Sequence, residues 1–270
     1  MTLIWCSYRI RINHLKEGGV QLSSKVGTSV PILFLCLFIK KNNMKHILIT
    51  RCKFGNDDAF QSYFNVMKKT YIPSINSQTD KNFSIALVVN PKHFDLIRKE
   101  INKNIEIVQF TDQQEEYKDL EIRQKINLIP FSDTKKDYKD FVIKNNITIQ
   151  TRHDCDDIMN PNYIETIHKL YNENKNKYDD FILNFHPTKV LIDSGDEYTH
   201  SRDYSRVCSM FTTLIQKKVK HGIMDCMHDH LTRITKNVIY IPENYVKLVI
   251  HGNNTISKLK DTDKFIKNLW

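Results

Sequence analysis

Three aspartates, Asp154, Asp156 and Asp157, follow a segment with the alternation of a β-strand, in which Ile147 and Ile149 are separated by polar residues. The sequence therefore predicts that the acids lie at the carboxyl end of a strand, which is where open α/β sheets bind their ligands. Carboxylates this close repel one another unless a cation lies between them. Because hard divalent cations prefer oxygen ligands, the cluster indicates a metal site that could also hold phosphate groups.

The acidic cluster also has a simpler interpretation, in which the acids are solvated loop residues that favour the start of the following helix. A single Asp-x-Asp pattern is common by chance, so this interpretation stays open until the rest of the chain is considered.

Strands and helices alternate from Met44 onward. The run 83–89 is almost continuously apolar, which is typical of a central parallel strand covered on both faces. The pattern predicts a single α/β domain over residues 44–270, with a mostly parallel mixed sheet flanked by helices. Predicted strands are 47–51, 83–89, 105–110, 147–152, 181–185, 190–193, 238–241 and 245–250, and predicted helices are 57–71, 94–102, 115–128, 161–171 and 223–234.

Composition describes an ordinary globular protein, with 40% hydrophobic and 26% charged residues. The net charge of +9 is a weak argument for nucleic acid, and an anionic small ligand fits it equally well. No apolar run reaches the roughly 18 residues that a membrane span needs. The six cysteines form no C-x-x-C pair, so reduced thiols and a cytoplasmic location are expected. We expect neither nucleic-acid binding nor a stable membrane span.

Residues 1–43 differ from the rest because they carry a short apolar run at 31–39, followed by Lys40 and Lys41. The run is too short to span a membrane, and no small-residue cleavage site follows it. We expect residues 1–43 to be an extension outside the fold, and a membrane anchor is the alternative.

Several short motifs recur in an order that resembles a known family. They are Arg51, Pro73–Ile75, Gln78–Phe83, Thr151–Asp157, Ser209–Ile215 and Val249–Asn253. Together the motifs are similar to those of the rhamnosyltransferase family, within the GT-A-fold nucleotide-sugar glycosyltransferases. The resemblance covers most of residues 44–257, and each motif alone is weakly specific.

This resemblance implies a GT-A (Rossmann-like) domain whose Asp-x-Asp motif holds a divalent metal, Mn²⁺ or Mg²⁺, on the diphosphate of a nucleotide-sugar donor. By position, Asp154 and Asp156 are the motif carboxylates and Asp157 extends the motif. His251 matches the late histidine that completes the metal or diphosphate site in many such enzymes. Donor binding is expected at Arg51, Arg152 and Asp154. The sequence departs from the family pattern at His153, which could compete as a ligand, and at Cys155, which we interpret as a small filler.

Sugar transfer from such a donor to a glycan or another hydroxyl acceptor also needs a base for the hydroxyl proton if the reaction inverts the anomeric carbon. Asp229, between His228 and His230, is the candidate catalytic residue, and Asp225 is second. For Asp229 the alternative is an ordinary surface charge beside two solvated histidines.

Two other functions remain open at the level of sequence. Clustered acids with His153, His228, His230 and His251 would also serve a metal-dependent phosphoesterase or nuclease. A catalytically silent domain that keeps the fold would bind a nucleotide or carbohydrate without transferring a sugar. One fold serves many sugars, nucleotide bases and acceptors, because specificity changes easily on one fold.

Overall fold

The computed structural model describes residues 45–52, 57–111, 132–199, 208–251 and 265–266. The predicted extension at 1–43 and the predicted helix at 115–128 lie outside these residues. Within the described ranges, no helix has the length and apolar character needed to cross a membrane.

Ten strands, five α-helices and one 3-10 helix make up the described part of the chain. The strands are β1 (His46–Cys52), β2 (Ser84–Val89), β3 (Glu106–Thr111), β4 (Ile149–Asp154), β5 (Ile158–Met159), β6 (Asp180–Leu191), β7 (Glu197–Thr199), β8 (Thr212–Gln216), β9 (Val238–Ile250) and β10 (Phe265–Ile266). The helices are α1 (Asp57–Lys69), α2 (Tyr71–Asn76), α3 (Pro91–Glu100), α4 (Ser132–Lys144), α5 (Tyr163–Asn174) and the 3-10 helix His228–Arg233.

All strands belong to one mixed sheet with the order β10-β7-β6-β8-β4-β1-β2-β3, and β9 lies along the other edge of β6 with β5 beside it. The half formed by β4, β1, β2 and β3 is parallel, whereas β8 runs antiparallel to both β4 and β6. Parallel pairing brings the ends of β1 and β4 together, so that Arg51 is the register partner of Asp154. The mixed α/β class predicted from the sequence is confirmed.

Helices cover both faces of the sheet because strand residues alternate between two apolar surfaces. On one face, Tyr163 of α5 packs edge-on against Phe185 of β6 with ring centroids 4.7 Å apart. On the other, Phe110 of β3 contacts Tyr138 and Phe141 of α4 at 5.7 and 5.6 Å. Helices thus pack on both faces of the sheet in the part of the chain that the structure describes.

A buried chain of polar groups crosses the first face. His168 Nδ1 lies 2.6 Å from a carboxylate oxygen of Asp80, and its Nε2 lies 2.9 Å from His46 Nδ1. His46 Nε2 lies 2.8 Å from the Thr151 hydroxyl, which lies 2.7 Å from the Thr213 hydroxyl. His168 is buried and is hydrogen-bonded within the protein at both ring nitrogens.

The structure corrects several predicted elements. The segments predicted as the strands 238–241 and 245–250 form the single strand β9. The pattern of 181–185 and 190–193 predicts a hairpin or two adjoining antiparallel strands. Instead, β6 runs without a break from Asp180 to Leu191, because β9 pairs with it along most of its length. A register shift between Phe185 and Pro187 marks the point between the part of β6 that pairs with β8 and the part that pairs with β7. The helix predicted over 223–234 is only the 3-10 helix His228–Arg233, since residues before it bind β4 instead.

Candidate active site

The acidic loop, defined here as Asp154–Asp157, leaves the carboxyl end of β4 beside the ends of β1 and β9. Parallel pairing with β1 places Arg51 next to Asp154, and β9 ends at Ile250, directly before His251. The carboxyl ends of three strands thus meet at one edge of the sheet. The carboxyl ends of the strands are the usual ligand site of α/β sheets.

Asp157 points into the protein and ties the acidic loop to β9. Its side chain is buried, and Oδ1 accepts a hydrogen bond of 2.9 Å from the backbone N–H of Val249. Burial raises the pKa of this carboxyl well above its usual value, and the charges of Asp156 and Asp154 raise it further. The three acids therefore repel one another in the folded loop, and a bound cation would relieve this repulsion.

Asp156 and His251 come into direct contact, as a shared site requires. His251 Nε2 lies 3.0 Å from Oδ2 of Asp156, and its ring meets Tyr63 edge-on at 5.5 Å. The Asp156 side chain is 17% exposed and that of Asp154 is 38% exposed. The two Asp-x-Asp carboxylates therefore remain open to solvent while Asp157 does not.

The side chains of His153 and Cys155 point to the opposite side of the strand from the exposed carboxylates of Asp154 and Asp156. The His153 ring is fully buried between Tyr71 and Phe211, and its Nδ1–H donates to the backbone carbonyl of Asp154 at 2.8 Å. Burial lowers the pKa of His153 to about 4, so the ring is neutral at physiological pH. It does not share the surface of the two open carboxylates. Cys155 is buried beside Cys52, in agreement with a packing role.

The ligand atoms at this end of the sheet are of the types that a hard divalent cation prefers, but their side chains do not yet converge on one point. Carboxylate oxygens of Asp154 and Asp156 with an imidazole nitrogen of His251 are suitable ligands for Mn²⁺ or Mg²⁺. Across the described ranges, however, no three His, Cys, Asp or Glu side chains already converge as metal ligands. Asp156 instead pairs with His251, and Asp154 lies 3.9 Å from the guanidinium of Arg152.

The segment before the 3-10 helix is held against β4 by Gln150, which is fully buried. The Gln150 amide donates to the His221 carbonyl at 2.9 Å and accepts from the Ile223 N–H at 2.8 Å. The charges of Arg152 and Asp154 both affect the pKa of His228, so the helix start lies in the electrostatic field of the acidic loop. Asp229, the candidate base, follows directly, and its Oδ1 is buried.

Asp225 does not join this group. Its carboxylate lies 3.0 Å from Lys139 of α4 and 3.4 Å from His221, which turns it toward the helix that covers the sheet. Sequence reasoning did not identify Gln150, because its role comes from two backbone groups more than 70 positions away. Strand alternation, which places Gln150 on the same side as Arg152, was the only available signal.

Solved structures resemble this chain only distantly. A crystal structure of S. aureus TarS 1-349 in complex with UDP-GlcNAc has a TM-score of 0.44 and 10% identity, over 78% of this chain and 60% of that one. A second TarS 1-349 structure has a TM-score of 0.46 and 10% identity, over 76% and 60%. The structure of a cytidylyltransferase from Leptospira borgpetersenii serovar Hardjo-bovis has a TM-score of 0.42 and 12% identity, over 74% of this chain and 76% of that one. The chain thus spans 60% of the length of each TarS fragment.

Sequence comparison gives a clearer result. No curated protein matches the chain. Residues 41–261 match the family model described as "Putative rhamnosyl transferase", which covers most of the chain and all of the acidic loop. The chain therefore belongs to the rhamnosyl transferase family of glycosyltransferases.

Proposed function

We propose that this glycosyltransferase takes a sugar, rhamnose by the family description, from a nucleotide-diphosphate donor and joins it to a hydroxyl group of a glycan or similar acceptor. The observation that carries the proposal is the contact between Asp156 and His251 at the open edge of the sheet, 3.0 Å apart. Two residues 95 positions apart in sequence meet there beside a solvent-exposed Asp154.

Asp154, Asp156 and His251 would hold a divalent cation in this proposal, and Asp157 would support the loop from behind. When bound, Mn²⁺ or Mg²⁺ would neutralise the negative charge that develops on the departing diphosphate. The guanidinium of Arg152 lies 3.9 Å from the Asp154 carboxylate, and Arg51 is the register partner of Asp154. Both arginines therefore belong to the strands that end at the site. We assign them to the donor phosphates, which planar guanidinium groups bind well.

Nucleotide binding tests the donor site. Isothermal titration of the full chain with UDP and with dTDP, each with and without Mn²⁺, is expected to show Mn²⁺-dependent binding of one nucleotide. Asp156→Asn should abolish this binding. Asp140→Asn is the matched control, because it makes the same chemical change at another site. Asp140 is an exposed acid of α4 that pairs with Lys136.

Each alternative has its own outcome. No binding of either nucleotide under any condition would overturn the proposal, and phosphoester hydrolysis without a sugar donor would then favour the phosphoesterase. Binding without transfer to any acceptor would identify a silent binding domain. The structure weakens the phosphoesterase alternative, because His153 is buried behind the strand instead of joining the acids.

A further inference from the structure

The orientation of His228 is fixed by a single hydrogen bond. Its Nδ1 lies 3.1 Å from the backbone carbonyl oxygen of Cys208. A carbonyl oxygen can only accept, so Nδ1 carries the proton and Nε2 carries a lone pair whenever the ring is neutral. Among the residues that the structure describes, Nε2 has no hydrogen-bond partner. The unprotonated nitrogen of His228 is thus available to another group.

The surroundings of His228 keep the ring neutral. Burial lowers its pKa below 6.5, and the positive charge of Arg152 on β4 lowers it further. The Cys208 carbonyl, Asp229 on the same helix and Asp154 on β4 act in the opposite direction without reversing the shift. At pH 7 the ring therefore lacks the second proton. A neutral histidine with a pKa near or below the working pH is suited to accept a proton.

Asp229 is the other candidate for the same task. One of its carboxylate oxygens, Oδ1, is buried and has no hydrogen-bond partner among the described residues. Asp229 does supply a negative charge next to His228, which stabilises the ring once it is protonated.

We propose that Nε2 of His228, and not Asp229, is the catalytic base that receives the proton of the acceptor hydroxyl. This inference rests on the proposed function. The acceptor oxygen forms a bond to the anomeric carbon while the bond from that carbon to the donor phosphate breaks. The nucleoside diphosphate leaves with the electron pair of the broken bond, and the hydroxyl proton moves to Nε2, from which water later removes it.

The tautomer can be measured without knowing the donor. Long-range ¹H–¹⁵N correlation spectra of the full chain at pH 7, assigned through the signal lost in His228→Asn, should show a ring protonated at Nδ1 and bare at Nε2. A ring protonated at Nε2, or at both nitrogens, would overturn the proposal, because neither form can take a proton there.

Kinetics provide the second test. His228→Asn keeps an N–H that can reach the Cys208 carbonyl but has no atom at the Nε2 position. We expect it to lower kcat by about 10²–10⁴-fold and to remove the acidic limb of the pH profile, with nucleotide affinity unchanged. His230→Asn is the matched control, since His230 is exposed on the same helix.

The two levels of the argument fail differently. If the wild type binds no nucleotide, the proposed function is wrong. If His228→Asn binds the nucleotide and transfers sugar at the wild-type rate with an unchanged pH profile, only the inference about His228 is wrong.

Discussion

The buried carboxylate of Asp157 accepts a 2.9 Å hydrogen bond from the backbone N–H of Val249, and this bond joins the acidic loop to β9. It fixes the positions of Asp156, one residue before Asp157, and of His251, two residues after Val249. The contact between Asp156 and His251 therefore depends on a buried bond behind it.

Asp157→Ala should destabilise the protein by about 1–3 kcal/mol, because it removes the buried hydrogen bond between the Asp157 carboxylate and the Val249 N–H. Asp157→Asn keeps an oxygen at the same place and removes a charge that Asp154 and Asp156 oppose, so it should stay within about 1 kcal/mol of the wild type. Urea unfolding of both variants measures the difference. Equal stability of the alanine variant and the wild type would show that the bond to β9 contributes little.

Gln150→Leu should release the segment that leads to the 3-10 helix. The substitution leaves the His221 carbonyl and the Ile223 N–H without their partner, at a cost of about 1–3 kcal/mol for each group. We expect a lower kcat with nearly unchanged nucleotide affinity, because the acidic loop keeps its own contacts. Gln150→Glu, which retains the acceptor for Ile223, should be milder. Loss of nucleotide binding in a folded Gln150→Leu variant would contradict this separation.

Local pattern was sufficient to predict the strand that carries the acids. Alternation at Ile147 and Ile149 placed Asp154 at a strand end, and β4 ends at that residue. The continuous apolar run at 83–89 likewise forms the buried strand β2, which has a parallel neighbour on each side. These features depend on residues close in sequence, whose side chains alternate with a period of two whatever the partner strand is.

What could not be predicted depends on partners that are distant in sequence. The hydrogen bond between Asp157 and Val249 joins residues 92 positions apart. The neighbouring sequence does not distinguish a buried, hydrogen-bonded Asp157 from an exposed metal ligand. The 3-10 helix is short because Gln150 binds the backbone of Ile223, five residues before the helix begins. This contact outweighs the helical spacing of the apolar residues over 223–234. β6 is continuous because β9 pairs along it.

Acid should destabilise the fold through its buried histidines. Burial and the neighbouring His168 hold the pKa of His46 well below 6.5, and burial lowers that of His153 to about 4. The unfolded chain binds these protons more readily, so their stabilising contribution is complete above about pH 6.5 and is lost as the pH falls toward 4.

Thermal unfolding between pH 7.5 and 4.5 measures this loss. His46→Asn should flatten the pH dependence while lowering overall stability, since it removes one buried group that resists protonation. His230→Asn, at an exposed position, should leave the slope as in the wild type. An identical slope in His46→Asn would assign the acid sensitivity to other groups.

The two acids first considered as the base, Asp225 and Asp229, should behave differently. Asp225 pairs with Lys139 at 3.0 Å, away from the acidic loop, so Asp225→Asn should keep the wild-type kcat and lose about 0.2–1 kcal/mol of stability. Asp229→Asn removes the negative charge beside His228 and should shift the acidic limb of the kcat profile to lower pH, with less than a tenfold loss at pH 7. Rate measurements across pH 5–8 separate the two variants. A loss of 10² or more in Asp229→Asn, with His228→Asn nearly active, would restore Asp229 as the base.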